Sequence, residues 1–143
     1  MLAVDTNVLV YAHRSDSEFH AAAAHTVRTL AESRAQWAVP WPCLHEFYAI
    51  VTHPRIYRPA STVAQALAQL AAWTASPSLV LLAEDTTYLA VLTGLLRNAA
   101  TTGAAVHDAR IAALCLVHGV RELITLDRDF GRFPQLRTTS LLG

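Results

Sequence analysis

The sequence contains no lysine; all eleven of its basic residues are arginine. That absence excludes a Walker A phosphate loop, a Schiff-base or pyridoxal enzyme, and a kinase-type site. It also argues against a receiver domain, whose acid cluster is completed by a lysine. Cysteine is scarce: Cys43 and Cys115 are the only two, both in apolar surroundings, with no CxxC or Cys/His zinc pattern. Two such residues make no disulfide framework and read as free buried thiols in a reducing cytoplasm. Charge of one sign is not in excess, because eleven acids balance the eleven arginines. The global basic footprint of many nucleic-acid binders is therefore missing. The N-terminus lacks a basic segment and places Asp5 inside its apolar run, unlike a signal peptide. The longest uncharged stretch, from Pro59 to Ala83, is broken by Pro77 and several hydroxyl residues. It does not read as a membrane span.

What is present is a chain of 143 residues, 53% hydrophobic and 15% charged. That composition suits one folded domain over residues 1–143 and excludes intrinsic disorder. Short apolar runs are expected as strands at Leu2 to Val4, Gln36 to Val39, Leu79 to Leu82 and Glu122 to Thr125. A last edge strand is expected within Leu136 to Leu142. Helices are expected at Thr6 to His13, Phe19 to Arg34, Pro42 to Thr52, Ser61 to Thr74, Thr86 to Ala100 and Ala104 to His118. Thr6 or Asn7 is placed near the cap of the first helix, and Gly119 ends the last. Val63, Leu67, Leu70 and Ala71 are assigned to the apolar face of the fourth helix. Leu89, Leu92, Leu95 and Leu96 serve the fifth. Alternating strands and helices predict an α/β fold: a three-layer α/β/α sandwich around a parallel sheet of four to five strands.

The acids fall in a telling order. Parallel sheets bind ligands beyond the carboxyl ends of their strands. Asp5 ends the first strand, and Asp127 lies two residues past the fourth. Asp108 precedes Ile111 and Ala112 by three and four positions, which puts it on the buried face of its helix. Glu46 flanks the stripe of Leu44, Phe47 and Val51. Each acid alone has a plain structural reading: a helix cap for Asp5 or Asp127, a first-turn acid for Asp108, a solvated residue for Glu46. Their joint placement is not covered by those readings. Converging carboxylates repel unless a cation joins them, and oxygen-only ligands favour Mg²⁺ or Mn²⁺ over zinc. The histidines offer no competing metal site. His45-Glu46 opens like HExxH, but position 49 is alanine.

The segments VDTNVLV, WPCLHEFYAIVTHP, VHDARIAAL and GVRELITLDRDFGRF together resemble the PIN-domain ribonucleases, and more narrowly the VapC toxins of toxin–antitoxin pairs. The resemblance spans Asp5 to Phe133. It implies a metal-dependent endoribonuclease whose four acids fall on Asp5, Glu46, Asp108 and Asp127. Asp5 and Asp108 are the first choices as direct ligands. Thr6, Asn7, Thr125 and Asp129 are supporting candidates. The resemblance also implies an RNA substrate, cleavage leaving a 5′-phosphate, a homodimer and a small VapB-type antitoxin. Setting the acid cluster and Asp129 aside leaves six acids against eleven arginines. Arg14, Arg55, Arg58, Arg110 and Arg128 are the candidates for RNA phosphates, with Arg132 beside them. Tyr57, between two arginines, is a candidate to stack on an unpaired base, with a packing role as the equal alternative. Two other readings stay open: a housekeeping RNA-processing nuclease of the same fold, and a non-catalytic RNA-binding module. A dehalogenase-type phosphatase is disfavoured, because the chain starts Asp-Thr-Asn and lacks lysine.

Overall fold

The computed structural model describes all 143 residues. Five strands form one sheet in the order β3-β2-β1-β4-β5, and every pairing is parallel. They are β1 (Leu2–Val4), β2 (Trp37–Pro40), β3 (Leu79–Leu82), β4 (Glu122–Thr125) and β5 (Thr138–Ser140). Six helices connect them: α1 (Thr6–His13), α2 (His20–Glu32), α3 (Trp41–Val51), α4 (Val63–Thr74), α5 (Tyr88–Asn98) and α6 (Val106–Val117). This is the expected α/β/α arrangement. Parallel crossovers turn right-handed, so α1 to α4 and α5 with α6 cover opposite faces. The contacts agree: α1 touches α2 and α3, α3 touches α4, and α5 touches α6.

The central strands are short and apolar because both faces are covered. Ala3, Val4, Trp37, Ala38, Val39 and Leu123 are essentially sealed from solvent. Around them Val8, Leu9, Phe47, Ile111 and Leu114 complete a single cluster of thirty buried residues. Phe47 is its anchor on one side, packed edge-on against Trp73 at 4.8 Å and against His13 at 5.3 Å. Full burial of such a ring contributes about 1.5–3 kcal/mol.

The cap of α1 is Asp5, whose side chain accepts the Thr6 N–H, with Thr6 as the first helical residue beside it. Two expectations need correction. On α4 the core face is Ala66 and Trp73, while Val63 and Leu67 are 58% and 52% exposed. About two turns of α4 touch the body, through Ala66 and Trp73 with the partly buried Leu70. On α5, Leu95 is buried but Leu89 is 69% exposed. The remaining boundaries shift by one or two residues, except that a 3-10 turn, Gly103–Ala105, precedes α6.

Chain direction then positions the site. The order of strands reverses between β1 and β4: one half of the chain runs outward to β3, and the other returns beside β1. This switch point opens a crevice above the carboxyl edge. Asp5 follows β1 immediately, and its N–H donates to Ile124 O of β4 at 3.0 Å. The helix α3 starts at once after β2, so Glu46 stays within two turns of the same edge. The helix α6 must deliver the chain to the opposite end of β4. Its first turn, with Asp108, therefore lies at the carboxyl edge as well.

Candidate metal centre

Asp5 is 4% exposed. Its Oδ1 accepts the Thr6 N–H at 2.7 Å, and its Oδ2 accepts the Thr125 hydroxyl at 2.7 Å. The Cys43 thiol lies 3.9 Å from Oδ1. Burial raises the Asp5 carboxyl to about 6, opposed by the Thr125 and Thr6 hydrogen bonds and reinforced by the charges of Glu46 and Asp127. A buried acid with two donors and two like-charged neighbours is poised to receive a cation.

Thr125 is the hub. Its Oγ donates to Asp5 and accepts the Asp127 N–H at 2.9 Å, with Asn7 Nδ2 approaching at 3.5 Å. Asn7 also accepts the Leu126 N–H at 3.4 Å through Oδ1, which ties α1 to the turn after β4. Thr6 reaches the other way: its hydroxyl donates to Glu46 Oε2 at 2.6 Å. Thr6 and Thr125 thus hold acids from three different elements in one place.

Asp127 caps a 3-10 helix, Arg128–Arg132, by accepting the Asp129 N–H at 2.8 Å. That turn brings Asp129 back beside Asp127. Carboxylate oxygens of Asp108, Asp127 and Asp129 all lie within 4.8 Å of one another. The Asp108 carboxyl is raised, first by burial and then by Asp127, Asp129 and Glu46, with Arg132 opposing. The sole cation beside these acids in an ion pair is Arg132, 3.9 Å from Asp129.

The donor set consists of carboxylate oxygens with hydroxyls behind them, which fits a hard divalent ion. Cys43 does not join it. Burial and the neighbouring acids push its thiol far up, leaving it protonated. The tightest group is Asp108, Asp127 and Asp129. Asp5 and Glu46 stand next to that group, outside its 4.8 Å circle. Asp129, a supporting candidate in the sequence, is brought into this group by the tight turn after Asp127, which needs no long-range contact.

The arginines divide. Arg14 is tied down, against its expected phosphate role. It pairs with Asp16 at 2.7 Å, donates to Pro59 O and Ser61 Oγ, and lies 4.4 Å over the Tyr57 ring. It also sits at the far end of α1, about 13–14 Å along the helix axis from Asp5 at 1.5 Å per residue. The same contact covers one face of the Tyr57 ring, in keeping with the packing role weighed for it. Arg110 pairs with Glu84 at 3.1 Å. Arg55, Arg58 and Arg128 are exposed.

The fold and the site together define a parallel α/β domain with a carboxylate cluster at its switch point. The PIN domain family model matches residues 2–136. The chain is 32% identical over 138 residues to ribonuclease VapC37 of Mycobacterium tuberculosis, covering 96% of this chain and 94% of that one. It is 31% identical to ribonuclease VapC43 of the same organism, over 96% of this chain and 92% of the relative. The chain belongs to the PIN-domain family and, within it, to the VapC group. Solved structures support the fold. The VapBC2 complex of Rickettsia felis, bound to a promoter DNA fragment, matches with TM-score 0.65 at 19% identity over 97% of both chains. VapC20 of M. tuberculosis, a toxin that cleaves the sarcin-ricin loop, matches with TM-score 0.65 at 19% identity over 92% of this chain and 93% of that one.

Proposed function

We propose that this protein is a divalent-metal-dependent endoribonuclease and the toxin of a VapBC-type toxin–antitoxin pair. The observation that carries this reading is the convergence of Asp108, Asp127 and Asp129 within 4.8 Å, in a chain related to VapC ribonucleases. Hard oxygen donors favour Mg²⁺ or Mn²⁺. When bound, such an ion supplies a water of lowered pKa and charge relief on the phosphate.

The chain's own residues do the rest. Asp108, Asp127 and Asp129 would hold the cation, with Asp5 and Glu46 beside them. Thr125 fixes the Asp5 carboxylate and the Asp127 backbone, and Thr6 fixes Glu46. Exposed Arg128, next to Asp127, supports a contact to an RNA phosphate at the centre, whereas Arg55 and Arg58 belong to the loop that Arg14 touches at the far end of α1 and would meet only a more distant part of an RNA. The products are a 5′-phosphate and a 3′-hydroxyl.

The exposed Val63 and Leu67 of α4 support a homodimer. Further along α4, Leu70 joins Trp41, Leu44 and Tyr48 in lining an apolar hollow of about 280 Å³. The solved VapBC complexes support an antitoxin partner. No helix is long and apolar enough to cross a membrane. Two buried free thiols suit a cytoplasmic setting.

Purified protein incubated with RNA and Mn²⁺ or Mg²⁺, with and without chelator, tests the reading. Chelator-sensitive internal cleavage is the expected result. RNA binding without cleavage would favour a non-catalytic RNA-binding module instead. Cleavage without a small antitoxin gene upstream would favour a housekeeping nuclease.

A further inference from the structure

Beside the acid cluster lies a second cavity of quite different character. It measures about 450 Å³ and is lined by Pro42, His45, Glu46, His107 and Arg110, with no large apolar side chain. Two helix faces build it. Pro42, His45 and Glu46 are three and four positions apart on α3, and His107 and Arg110 are three apart on α6. Each histidine directly precedes an acid of the candidate centre: His45 precedes Glu46, and His107 precedes Asp108. The side of these helices next to the centre therefore carries the acids, while the adjoining cavity gathers two imidazoles and a guanidinium.

We infer that this cavity is a phosphodiester subsite, which holds the RNA phosphate next to the one that is cleaved. The inference rests on the ribonuclease reading and adds a docking site to it. Arg110 supplies a fork of N–H donors suited to phosphate oxygens. An imidazole N–H donates to a phosphate oxygen in either tautomer, so neither histidine needs a charge. Two carboxylates bear on the cavity. Glu46 lies on its wall, with Oε2 already engaged by the Thr6 hydroxyl at 2.6 Å. Glu84 holds Arg110 through Oε1, accepting from Nε at 3.2 Å and Nη2 at 3.1 Å. That pair is open to solvent on both sides, with side-chain exposures of 42% and 41%. An exposed pair is weak and exchangeable, so a phosphate competes with Glu84 for the guanidinium. Glu84 thereby acts as a stand-in for the anion when RNA is absent.

The position also gives the strand a path. On the opposite side of Asp127 a cavity of about 360 Å³ is lined by Thr125, Asp127, Arg128, Thr139 and Ser140 among others. The acid centre thus lies between two polar hollows, and an extended single strand crossing it meets His107 and Arg110 on one side only.

The test is binding of a fluorescent single-stranded RNA of about ten nucleotides, followed by anisotropy across a salt series. Chelator is present, so the RNA stays intact. Arg110→Gln and His107→Gln are expected to raise Kd about three- to tenfold, and Arg110→Gln to flatten the salt dependence by about one phosphate contact. Glu84→Gln should move the other way and tighten binding, because it frees Arg110. Cleavage with Mn²⁺ should show raised KM with kcat nearly kept in Arg110→Gln. Unchanged Kd in all three variants, or a shift of one sign in all three, overturns the subsite. Absence of cleavage by the wild type would instead count against the ribonuclease reading, since the anisotropy series scores the cavity without it.

Discussion

The Thr125 hydroxyl donates to Asp5 Oδ2 at 2.7 Å, bridging two parallel strands at the point where the sheet reverses its order. The same oxygen accepts the Asp127 N–H at 2.9 Å. One hydroxyl therefore sets the position of two acids. Thr125→Val keeps the shape and removes both bonds. It leaves the buried Asp5 short of a donor and the Asp127 N–H without an acceptor. A loss of about 1–3 kcal/mol in chemical denaturation is expected, with ribonuclease activity falling about tenfold or more. Wild-type activity in Thr125→Val would mean that Asp5 and Asp127 do not need this anchor.

Asp108→Asn separates ligand charge from fold. Asp108 is half-buried and meets like charge from Asp127, Asp129 and Glu46. The amide relieves that repulsion, so without metal the variant should melt no lower than the wild type. With Mn²⁺ it should lose at least about 100-fold in cleavage. Asp5→Asn should lose cleavage as well. A large fall in the metal-free melting temperature of Asp108→Asn would assign this acid a structural role instead.

Asp5 also makes the metal-free protein sensitive to pH. Burial is the main cause of its rise from an ordinary 3.8 to about 6. The folded state then binds the proton more tightly than the unfolded chain does. Stability from this group is full below about pH 4 and is lost as pH rises through about 6, amounting to roughly 3 kcal/mol. Asp108 acts in the same direction. Denaturation of the wild type and Asp5→Asn in chelator between pH 4.5 and 7 measures it. The wild type should lose stability relative to the variant across this window, and Mn²⁺ should restore it. A wild type that gains on the variant as pH rises would contradict the sign.

Much of this was legible in the sequence, for local reasons. β1 and β4 are short apolar runs bounded by polar residues, so Asp5 and Asp127 were pinned to one edge before their pairing was known. The spacing of Asp108 to Ile111 and Ala112 fixed its helix face in the same way. Other features depend on contacts that spacing does not encode. Thr6 to Glu46 and Thr125 to Asp5 span 40 and 120 positions. Arg14 looked like a free loop charge because its partners Pro59 and Ser61 arrive from a distant segment. On α4 the amphipathic pattern is real, but periodicity reports an apolar stripe without saying what covers it. Here Ala66 and Trp73 face the core, and the stripe at Val63 and Leu67 faces outward.

That outward stripe predicts an interface between two copies of this chain. Val63 and Leu67 are exposed on α4, and Trp41, 41% exposed, lines a hollow with Leu70 of the same helix. A large exposed apolar patch is unusual on a monomer. Leu67→Glu places a charge in its middle without touching the core or the acids. The wild type should behave as a dimer in light scattering at micromolar concentration, and Leu67→Glu as a folded monomer. A wild type that is monomeric under those conditions would leave the stripe unexplained by self-association.

The silencing partner should act at the same carboxylates as the cation. Asp5 is 4% exposed, too deep for an incoming guanidinium, whereas Asp129 is exposed and Asp108 and Asp127 are half-buried. An arginine from a VapB-type segment would pair with these outer acids, taking the place of the ion. Apolar affinity would come from the Tyr11 and Phe19 rings, tilted against each other at 5.3 Å and half-buried. Antitoxin and metal should then exclude each other. Isothermal titration of the antitoxin's C-terminal peptide should give a Kd that weakens at least about tenfold in saturating Mn²⁺. The same peptide should bind Asp129→Asn more weakly than wild type when metal is absent, because one acceptor is lost. Equal affinity with and without Mn²⁺ would place the inhibitor elsewhere, over the RNA path and clear of the acids.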